Sequence, residues 1–299
     1  MNDPGSSTAW SGAVAVMVGG TYSGVLVASR YVLTAAHVVA SAANNPSGVQ
    51  VVFNLANGQT TLNAVRIEIF PGFSFPYDDV ALIELAEDAP PEAARYAVLD
   101  SPISTGTTFT MVGYGDSGYG DVGPNLRSNN QTRRWGENQA DVLQPTLDAS
   151  GRTSAFYIYD FDGPTSVHAN YTGARSLGNR RESITATGDS GSPAFVVVNG
   201  KRYLMGINNS VLSFNGSSPN FTFGSGGTGI RLSDPRFISW LRAKSSNGIR
   251  VASDPESAEG NTQLTLWAGG LLGVGLLASM QWRKRQIDWK QRLSSRTDA

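Results

Sequence analysis

Apolar runs of five to eight residues recur along the chain, and turn-forming residues separate them. In chain order these runs cover residues 12–18, 23–28, 49–54, 64–70, 80–85, 107–112, 155–159, 194–198 and 202–207. Short runs bounded by Gly, Pro, Asn and Asp are typical of strands in an all-β barrel or sandwich. The pattern therefore predicts an all-β domain over residues 1–244.

One segment of this domain has a helical pattern instead. Asp234 supplies a capping side chain, Pro235 suits the first helical turn, and apolar residues from Phe237 to Leu241 follow at helical spacing. We expect a helix here that closes the domain.

The last 55 residues of the chain show a different pattern. Residues 245–263 are rich in Ser, Gly, Asn, Asp and Glu, which predicts a flexible linker. The 19 residues 264–282 carry no charge. As a helix they would span roughly 28 Å, close to the hydrocarbon thickness of a bilayer. Residues 283–299 hold six basic and two acidic side chains, which predicts a transmembrane helix with a cytoplasmic tail and an extracytoplasmic domain in the cell envelope.

The N-terminal end does not match that topology. Residues 1–9 lack a basic region, and the first apolar stretch, residues 13–18, is too short for an export signal. We interpret this as a true start that lies further upstream. The alternative is a tail-anchored cytoplasmic protein.

Composition narrows the function classes. The 299 residues are 40% apolar and 16% charged, enough to bury a sizeable core. The formal net charge of -1 offers no basic footprint, so nucleic acid is not an expected partner. The absence of cysteine excludes a disulfide framework, a thiolate metal site and a cysteine nucleophile. No segment has the ligand spacing of a calcium loop, so we expect no metal or cofactor.

Three short segments would be unusual as plain structure. His37 follows Leu-Thr-Ala-Ala, Asp79 begins the apolar run Val-Ala-Leu-Ile, and Ser190 lies in Thr-Gly-Asp-Ser-Gly. In this order the segments resemble the trypsin-like serine peptidases, and the resemblance covers about residues 10 to 244.

The resemblance implies a fold and a reaction. The fold would be two antiparallel six-stranded β-barrels followed by the C-terminal helix. The reaction would be serine endopeptidase chemistry on protein or peptide substrates through an acyl-enzyme, with Ser190 as nucleophile, His37 as base and Asp79 orienting the imidazole. The backbone N–H groups of Gly188 and Ser190 would form the oxyanion hole.

Each of these residues also has a structural alternative. His37 would then be a hydrogen-bonded, half-buried histidine, and Ser190 would be a turn residue. His168 lies in a polar segment without a matching motif, and we interpret it as structural. Asp78 competes with Asp79 as the partner of His37. The family aspartate directly precedes Val-Ala-Leu, and strand alternation points the preceding residue away, so we assign Asp79.

The resemblance also places a specificity pocket. Ile184, six residues before Ser190, would form its floor, and Asn209 and Val211 would line the facing wall. An apolar floor cannot neutralise a buried cation, which favours small or medium apolar side chains over Arg or Lys.

Two further features carry open alternatives. In this family the residue that matches Asp189 commonly pairs with an N-terminal amine released by cleavage. Two alternatives are open here: an upstream segment that supplies this amine, or a local cation such as Arg180 or Arg181. The segments 132–138 and 159–162 are similar to bacterial exported trypsin-like proteins that carry a C-terminal apolar helix, which is an anchor or a removed sorting signal. An esterase and an inactive peptidase-like surface-binding module are the competing functions, and the oligomeric state stays open.

Overall fold

The computed structural model describes residues 8–143, 145–147, 151, 153–163, 177–178, 181–214 and 221–255. Its strands are β1 (Ala13–Met17), β2 (Thr21–Ala28), β3 (Tyr31–Thr34), β4 (Gln50–Leu55), β5 (Gly58–Ile69), β6 (Ala81–Leu85), β7 (Thr108–Gly113), β8 (Ser117–Tyr119), β9 (Gly123–Leu126), β10 (Arg134–Gln139), β11 (Pro145–Leu147), β12 (Thr153–Asp160), β13 (Pro193–Val198), β14 (Lys201–Ser213) and β15 (Ser225–Arg231). The helices are α1 (Ala36–Val39) and α2 (Pro235–Lys244), with short 3₁₀ turns at Thr8–Trp10, Ala40–Ala42 and Pro46–Gly48. The predicted mostly-β architecture is confirmed.

The first six strands close into an antiparallel barrel in the order β1-β2-β3-β6-β5-β4. Alternate side chains such as Val14, Val16, Leu26 and Val51 fill its interior, as the period of two in a strand requires. Strands β3 and β6 are neighbours, with Thr34 opposite Ala81. The residues just after β3 and just before β6 therefore meet at one end of the barrel.

The second half of the domain differs from the prediction. Within the described residues it forms a seven-stranded sheet, in the order β10-β7-β13-β14-β15-β12-β11, instead of a closed six-stranded barrel. The additional strand β11 pairs along β12, while a separate hairpin is formed by β8 and β9. Residues 114–152 are polar and rich in Gly, and they contain no apolar run. The sequence therefore does not predict the strands in this segment.

One apolar core joins the two halves. Leu33 and Leu82 of the barrel pack in the same cluster as Phe195 and Ile230 of the second sheet. Helix α2 contributes Phe237, Trp240 and Leu241 to this cluster. The helix begins as predicted, since the Asp234 side chain accepts a hydrogen bond from the Arg236 N–H at 2.9 Å.

The predicted linker starts too early. Ser245, Ile249 and Val251 are only 3%, 2% and 4% exposed, and Val251 lies beside Val98 in a parallel bridge. The compact unit extends to Ser253. The polar composition of this segment hid two apolar side chains that complete the core.

The predicted membrane helix at residues 264–282 and the tail at residues 283–299 lie outside the described residues. Within the part of the chain that the structure describes, no helix is both long enough and apolar enough to cross a membrane.

Candidate active site

His37 and Asp79 meet at the end of the first barrel. The histidine lies in α1, directly after β3, and the aspartate lies just before β6, so the pairing of those strands brings them together. Asp79 Oδ2 is 2.6 Å from His37 Nδ1, and Asp79 Oδ1 accepts the backbone N–H of His37 at 2.8 Å. The Asp79 side chain is fully buried, while that of His37 keeps 25% of its surface exposed. Since Nδ1 faces the carboxylate, it carries the proton and leaves Nε2 as an acceptor.

Asp78 has a different set of contacts. Its Oδ1 accepts a hydrogen bond from Ser154 Oγ at 3.0 Å, and its Oδ2 pairs with Arg236 at 3.2 Å. Its backbone φ of 50° turns it away from the direction of Asp79. The structure therefore brings His37 together with Asp79 and ties Asp78 to helix α2.

Ser190 lies in a tight turn that precedes β13. The turn packs on the segment leading to His37, because a β-carbon at Gly191 would be 2.1 Å from Thr34 Oγ1 and 2.8 Å from the Ala35 nitrogen. Gly191 also has a φ of 81°, a conformation that favours glycine. The Ser190 carbonyl accepts the Ser23 N–H at 3.1 Å. Among the described residues no hydrogen bond engages the Ser190 hydroxyl.

The backbone N–H groups of this turn alternate between bonded and unbonded. Those of Asp189, Gly191 and Ser192 donate to carbonyls at 2.9, 2.8 and 2.8 Å. Those of Gly188 and Ser190 have no partner within the described residues. Gly188 has a φ of 96°. Two unbonded N–H groups, one residue apart and next to a serine hydroxyl, are an arrangement that can stabilise an oxyanion.

Of the three predicted pocket residues, Ile184 lines the cavity next to the serine turn. Ile184 is half-buried, and the cavity has a volume of about 220 Å³. Asn209 is 3% exposed, and its amide is already engaged by the Pro76 carbonyl at 2.9 Å and the Thr228 hydroxyl at 2.6 Å. Val211 is half-buried in β14 opposite Gly227. Neither Asn209 nor Val211 lines this cavity, and neither do His37 and Ser190.

Two buried tyrosines that the sequence did not single out support the serine turn. Tyr159 shares a hydrogen bond with Thr185 at 2.9 Å, and Tyr157 donates to Asn208 Oδ1 at 2.7 Å. Burial raises the pKa of both hydroxyls above the usual range. Their rings lie against Gly227 and Gly229, where a β-carbon would approach them to 2.3 and 2.2 Å. The glycines in β15 are the sequence signal that marks this close approach.

Three buried carboxylates group together beside the second sheet. Oxygen atoms of Asp160, Asp162 and Glu182 lie within 4.8 Å of one another, and the Asp162 N–H donates to Glu182 Oε1 at 3.2 Å. Carboxylate oxygens are the ligands that hard cations prefer, but each of these residues also has further contacts within the protein. No metal is expected from the sequence because no segment has the ligand spacing of a calcium loop. The three carboxylates come together only in the folded chain.

Two comparisons with known proteins give matches for this chain. A family model described as Trypsin matches residues 2–224. The Serine protease Hayan of Drosophila melanogaster is 43% identical over 72 residues, a segment that covers 22% of this chain and 11% of that protein. The chain thus aligns with only about a ninth of the length of this relative. These matches give no support to the expected likeness to bacterial exported proteins.

Proposed function

Because this chain belongs to the Trypsin family of serine peptidases, we propose that it is a serine endopeptidase acting through His37, Asp79 and Ser190. The observation that carries the proposal is the 2.6 Å contact between His37 Nδ1 and Asp79 Oδ2. It supplies an oriented base next to the turn that carries Ser190. A peptidase domain implies protein or peptide substrates.

The proposed reaction begins with attack of Ser190 Oγ on the substrate carbonyl carbon. His37 Nε2 accepts the hydroxyl proton as the new C–O bond forms, and the carbonyl π electrons move onto oxygen. The unbonded N–H groups of Gly188 and Ser190 stabilise that oxyanion. His37 then donates the proton to the leaving amine as the C–N bond breaks, and water hydrolyses the acyl-enzyme by the same steps.

Asp79 acts through the histidine. Its buried carboxylate holds the ring in one tautomer and stabilises the imidazolium that forms during attack. The backbone N–H of His37 bonds the second oxygen, so the carboxylate is fixed in orientation as well as in position.

A fluorophosphonate probe tests this proposal directly. We expect labelling of the wild type and of Ser47→Ala, an exposed serine distant in sequence from the turn, and no labelling of Ser190→Ala. Ser190→Ala and His37→Ala should each abolish most peptidase activity, and the double variant should be little worse because the pair acts as a unit. Labelling that persists in Ser190→Ala, or a folded wild type that is never labelled, would contradict the proposal.

The proposal extends to specificity through Ile184. The apolar side chain of Ile184 at the cavity wall favours small or medium apolar substrate residues, since it cannot pair with a cation. The carboxylates that also line this cavity, Asp116, Glu182 and Asp189, are already engaged by other groups of the protein. Ile184→Asp should raise kcat/KM on Arg and Lys peptides relative to apolar ones, whereas the control Ile184→Val should keep the wild-type order. A wild type that strongly prefers Arg or Lys would show that another residue sets the pocket.

We further propose that residues 264–282 anchor the chain in a membrane with residues 283–299 in the cytoplasm. The support is the uncharged 19-residue run and the basic residues that follow it. After alkaline carbonate washing, the full chain should stay in the membrane pellet, and a chain ending at Asp254 should stay in the supernatant. Full-length chain in the supernatant would refute the anchor.

A further inference from the structure

Ser23 of β2 bonds the serine turn, residues 188–192, with both its backbone and its side chain. Its N–H donates to the Ser190 carbonyl at 3.1 Å, and its hydroxyl donates to the Gly188 carbonyl at 3.0 Å. Gly188 and Ser190 are the residues whose N–H groups form the proposed oxyanion hole. One residue of the first barrel thus holds both of them by their carbonyl groups.

The hydrogen bonds of the Ser23 hydroxyl have a defined direction. The Gly188 carbonyl can only accept a hydrogen bond, so the hydroxyl gives its single proton to this oxygen. The hydroxyl oxygen in turn accepts the Tyr114 N–H at 3.0 Å. Because Tyr114 directly follows β7, the hydroxyl joins β2, the end of β7 and the serine turn.

These hydrogen bonds lie in the interior of the protein. Ser23 and Tyr114 are both 0% exposed, and Gly188 is buried. Without the hydroxyl, the Gly188 carbonyl and the Tyr114 N–H would each lose a hydrogen bond that water cannot readily replace there. The loss would therefore act on the conformation of the turn.

The backbone of Gly188 depends on such a bond. Its φ of 96° lies in a region that glycine enters and leaves with little cost. A residue with a side chain would restrict this freedom, but a β-carbon here would lie 2.9 Å from the Thr21 carbonyl oxygen and 3.0 Å from Gly115 Cα. The bond from Ser23 restricts the glycine instead.

Other hydrogen bonds hold the serine turn to the second half of the domain. The Asp116 N–H donates to the Thr187 carbonyl, and the Gly191 N–H donates to the Asn208 carbonyl, each at 2.8 Å. The two bonds of Ser23 hold the turn to the first barrel, which carries the histidine and the aspartate of the candidate site.

The carbonyl of Ser23 extends this connection toward the histidine. It accepts the Thr34 hydroxyl at 2.7 Å, and Thr34 ends β3 three residues before His37. A β-carbon at Gly191 would lie 2.4 Å from the same Ser23 oxygen. Ser23 therefore lies between the turn that carries the nucleophile and the segment that leads to the base.

We propose that Ser23 is a positioning residue whose hydroxyl holds Gly188 in its oxyanion-binding conformation and the serine turn against the first barrel. The catalytic part of this inference rests on the proposed peptidase function. Ser23 is buried and does not line the cavity that Ile184 lines, so it acts through the turn and not on the substrate.

Kinetics of two matched variants test the inference. Ser23→Ala should lower kcat by roughly 10- to 10²-fold, because a misaligned oxyanion donor stabilises the transition state less, and should leave KM within a few-fold. Ser11→Ala is the control. Ser11 is 4% exposed, and its hydroxyl likewise donates to a backbone carbonyl, that of Glu92 at 3.0 Å, and accepts a backbone N–H, that of Ala94 at 2.9 Å.

Both variants should lower the urea midpoint by similar amounts, and only Ser23→Ala should lose kcat. Equal kcat values in Ser23→Ala and Ser11→Ala would overturn the inference, because the hydroxyl would then contribute to stability alone.

A readout independent of catalysis separates this inference from the proposed function. The Gly191 N–H donates to Asn208 and not to Ser23, so its hydrogen exchange reports on opening of the turn. Exchange should be about tenfold faster in Ser23→Ala, the equivalent of one buried hydrogen bond. It should be unchanged in Ser11→Ala, and both results are expected even if the protein proves not to be a peptidase. Unchanged Gly191 exchange in Ser23→Ala would overturn the inference.

Discussion

At the scale of single residues, two adjacent aspartates separate into two roles. Asp79 gives both carboxylate oxygens to His37, whereas Asp78 gives its oxygens to Ser154 and Arg236. The separation follows from the backbone, since Asp78 has a left-handed φ of 50° immediately before the strand. Substitutions of Asp78 and Asp79 should therefore have different effects on activity and on stability.

Asp79→Asn should lower kcat by about 10⁴-fold while the protein stays folded. The amide N–H₂ would donate to His37 Nδ1 and move the ring proton to Nε2, where it blocks acceptance of the serine proton. Asp78→Asn should leave kcat within a few-fold and reduce stability through weaker bonds with Arg236. Steady-state kinetics and urea unfolding of both variants distinguish the roles. A larger kinetic loss in Asp78→Asn would reverse the assignment.

Asp141 gives a prediction on pH. Burial, together with the charges of Asp160 and Glu182, raises its pKa to about 7, although the Asp160 N–H bonds its carboxylate. The folded state thus holds this proton more tightly than the unfolded state, whose pKa is about 4. Its contribution to the free energy of unfolding is largest below pH 4 and falls as the pH rises to about 7.

Asp141→Asn should therefore be more stable than wild type at pH 8 and have nearly the same stability at pH 4. Urea unfolding at both values measures the difference. Glu87→Gln, an exposed carboxylate on the first barrel, serves as the control and should show no such pH-dependent gain. A gain in Asp141→Asn that is equal at both pH values would exclude titration as its cause.

At the scale of elements, the segment after α2 is an integral part of the fold. Ile249 and Val251 are buried, and the Val98 N–H and carbonyl bond the backbone of Arg250 and Ala252 at 2.9 Å each. A chain ending at Lys244 should be less stable than one ending at Asp254 by at least about 3 kcal/mol, the cost of exposing two such side chains. Equal urea midpoints for the two chains would show that the segment is only a linker.

The pattern of apolar residues predicts some of the elements and not others. The apolar run at residues 80–85 corresponds to β6 with nearly the same bounds, and the capped run after Asp234 corresponds to α2. Both can be predicted because the residues that are buried recur at the spacing of a strand or a helix. Strand β10 does not stand out in the sequence because its buried positions are Gly136 and Asn138, neither of which is apolar in the usual strand pattern. For β14, the prediction ended at residue 207 but the strand continues to Ser213, since the polar residues beyond the bulge are paired by β15.

The candidate site also contains residues that local motifs predict and contacts that they do not. His37, Asp79 and Ser190 were identified because each lies in a short motif that has few structural uses. The hydrogen bond from the Gly115 N–H to Asp189 Oδ1 joins two segments that are distant in the sequence, and no local pattern reports such a contact. The burial of Asn209 is of the same kind, because its side chain is bonded by Pro76 and Thr228, which are also distant in the sequence or on another strand.

At the scale of the whole molecule, the shared core predicts cooperative unfolding. Leu33 lies in the cluster that joins the barrel, the second sheet and α2. Leu33→Ala should lower the free energy of unfolding by about 2–5 kcal/mol while keeping a single transition. Tryptophan fluorescence reports on this cluster through Trp240 and Trp135, and far-ultraviolet circular dichroism reports on the strands. Two separated transitions would mean that the halves unfold independently.

The shared core has a practical consequence for dividing the chain. His37 and Asp79 precede the exposed stretch at residues 101–105, and Ser190 follows it. Two fragments separated at that stretch would each carry an incomplete set of reactive groups, and the apolar surfaces that must meet are those around Leu33 and Phe195. Hydrolysis would then appear only when the fragments recombine, so that turnover of a chromogenic peptide would measure fragment association, with Ser190→Ala in the C-terminal fragment as the silent reference.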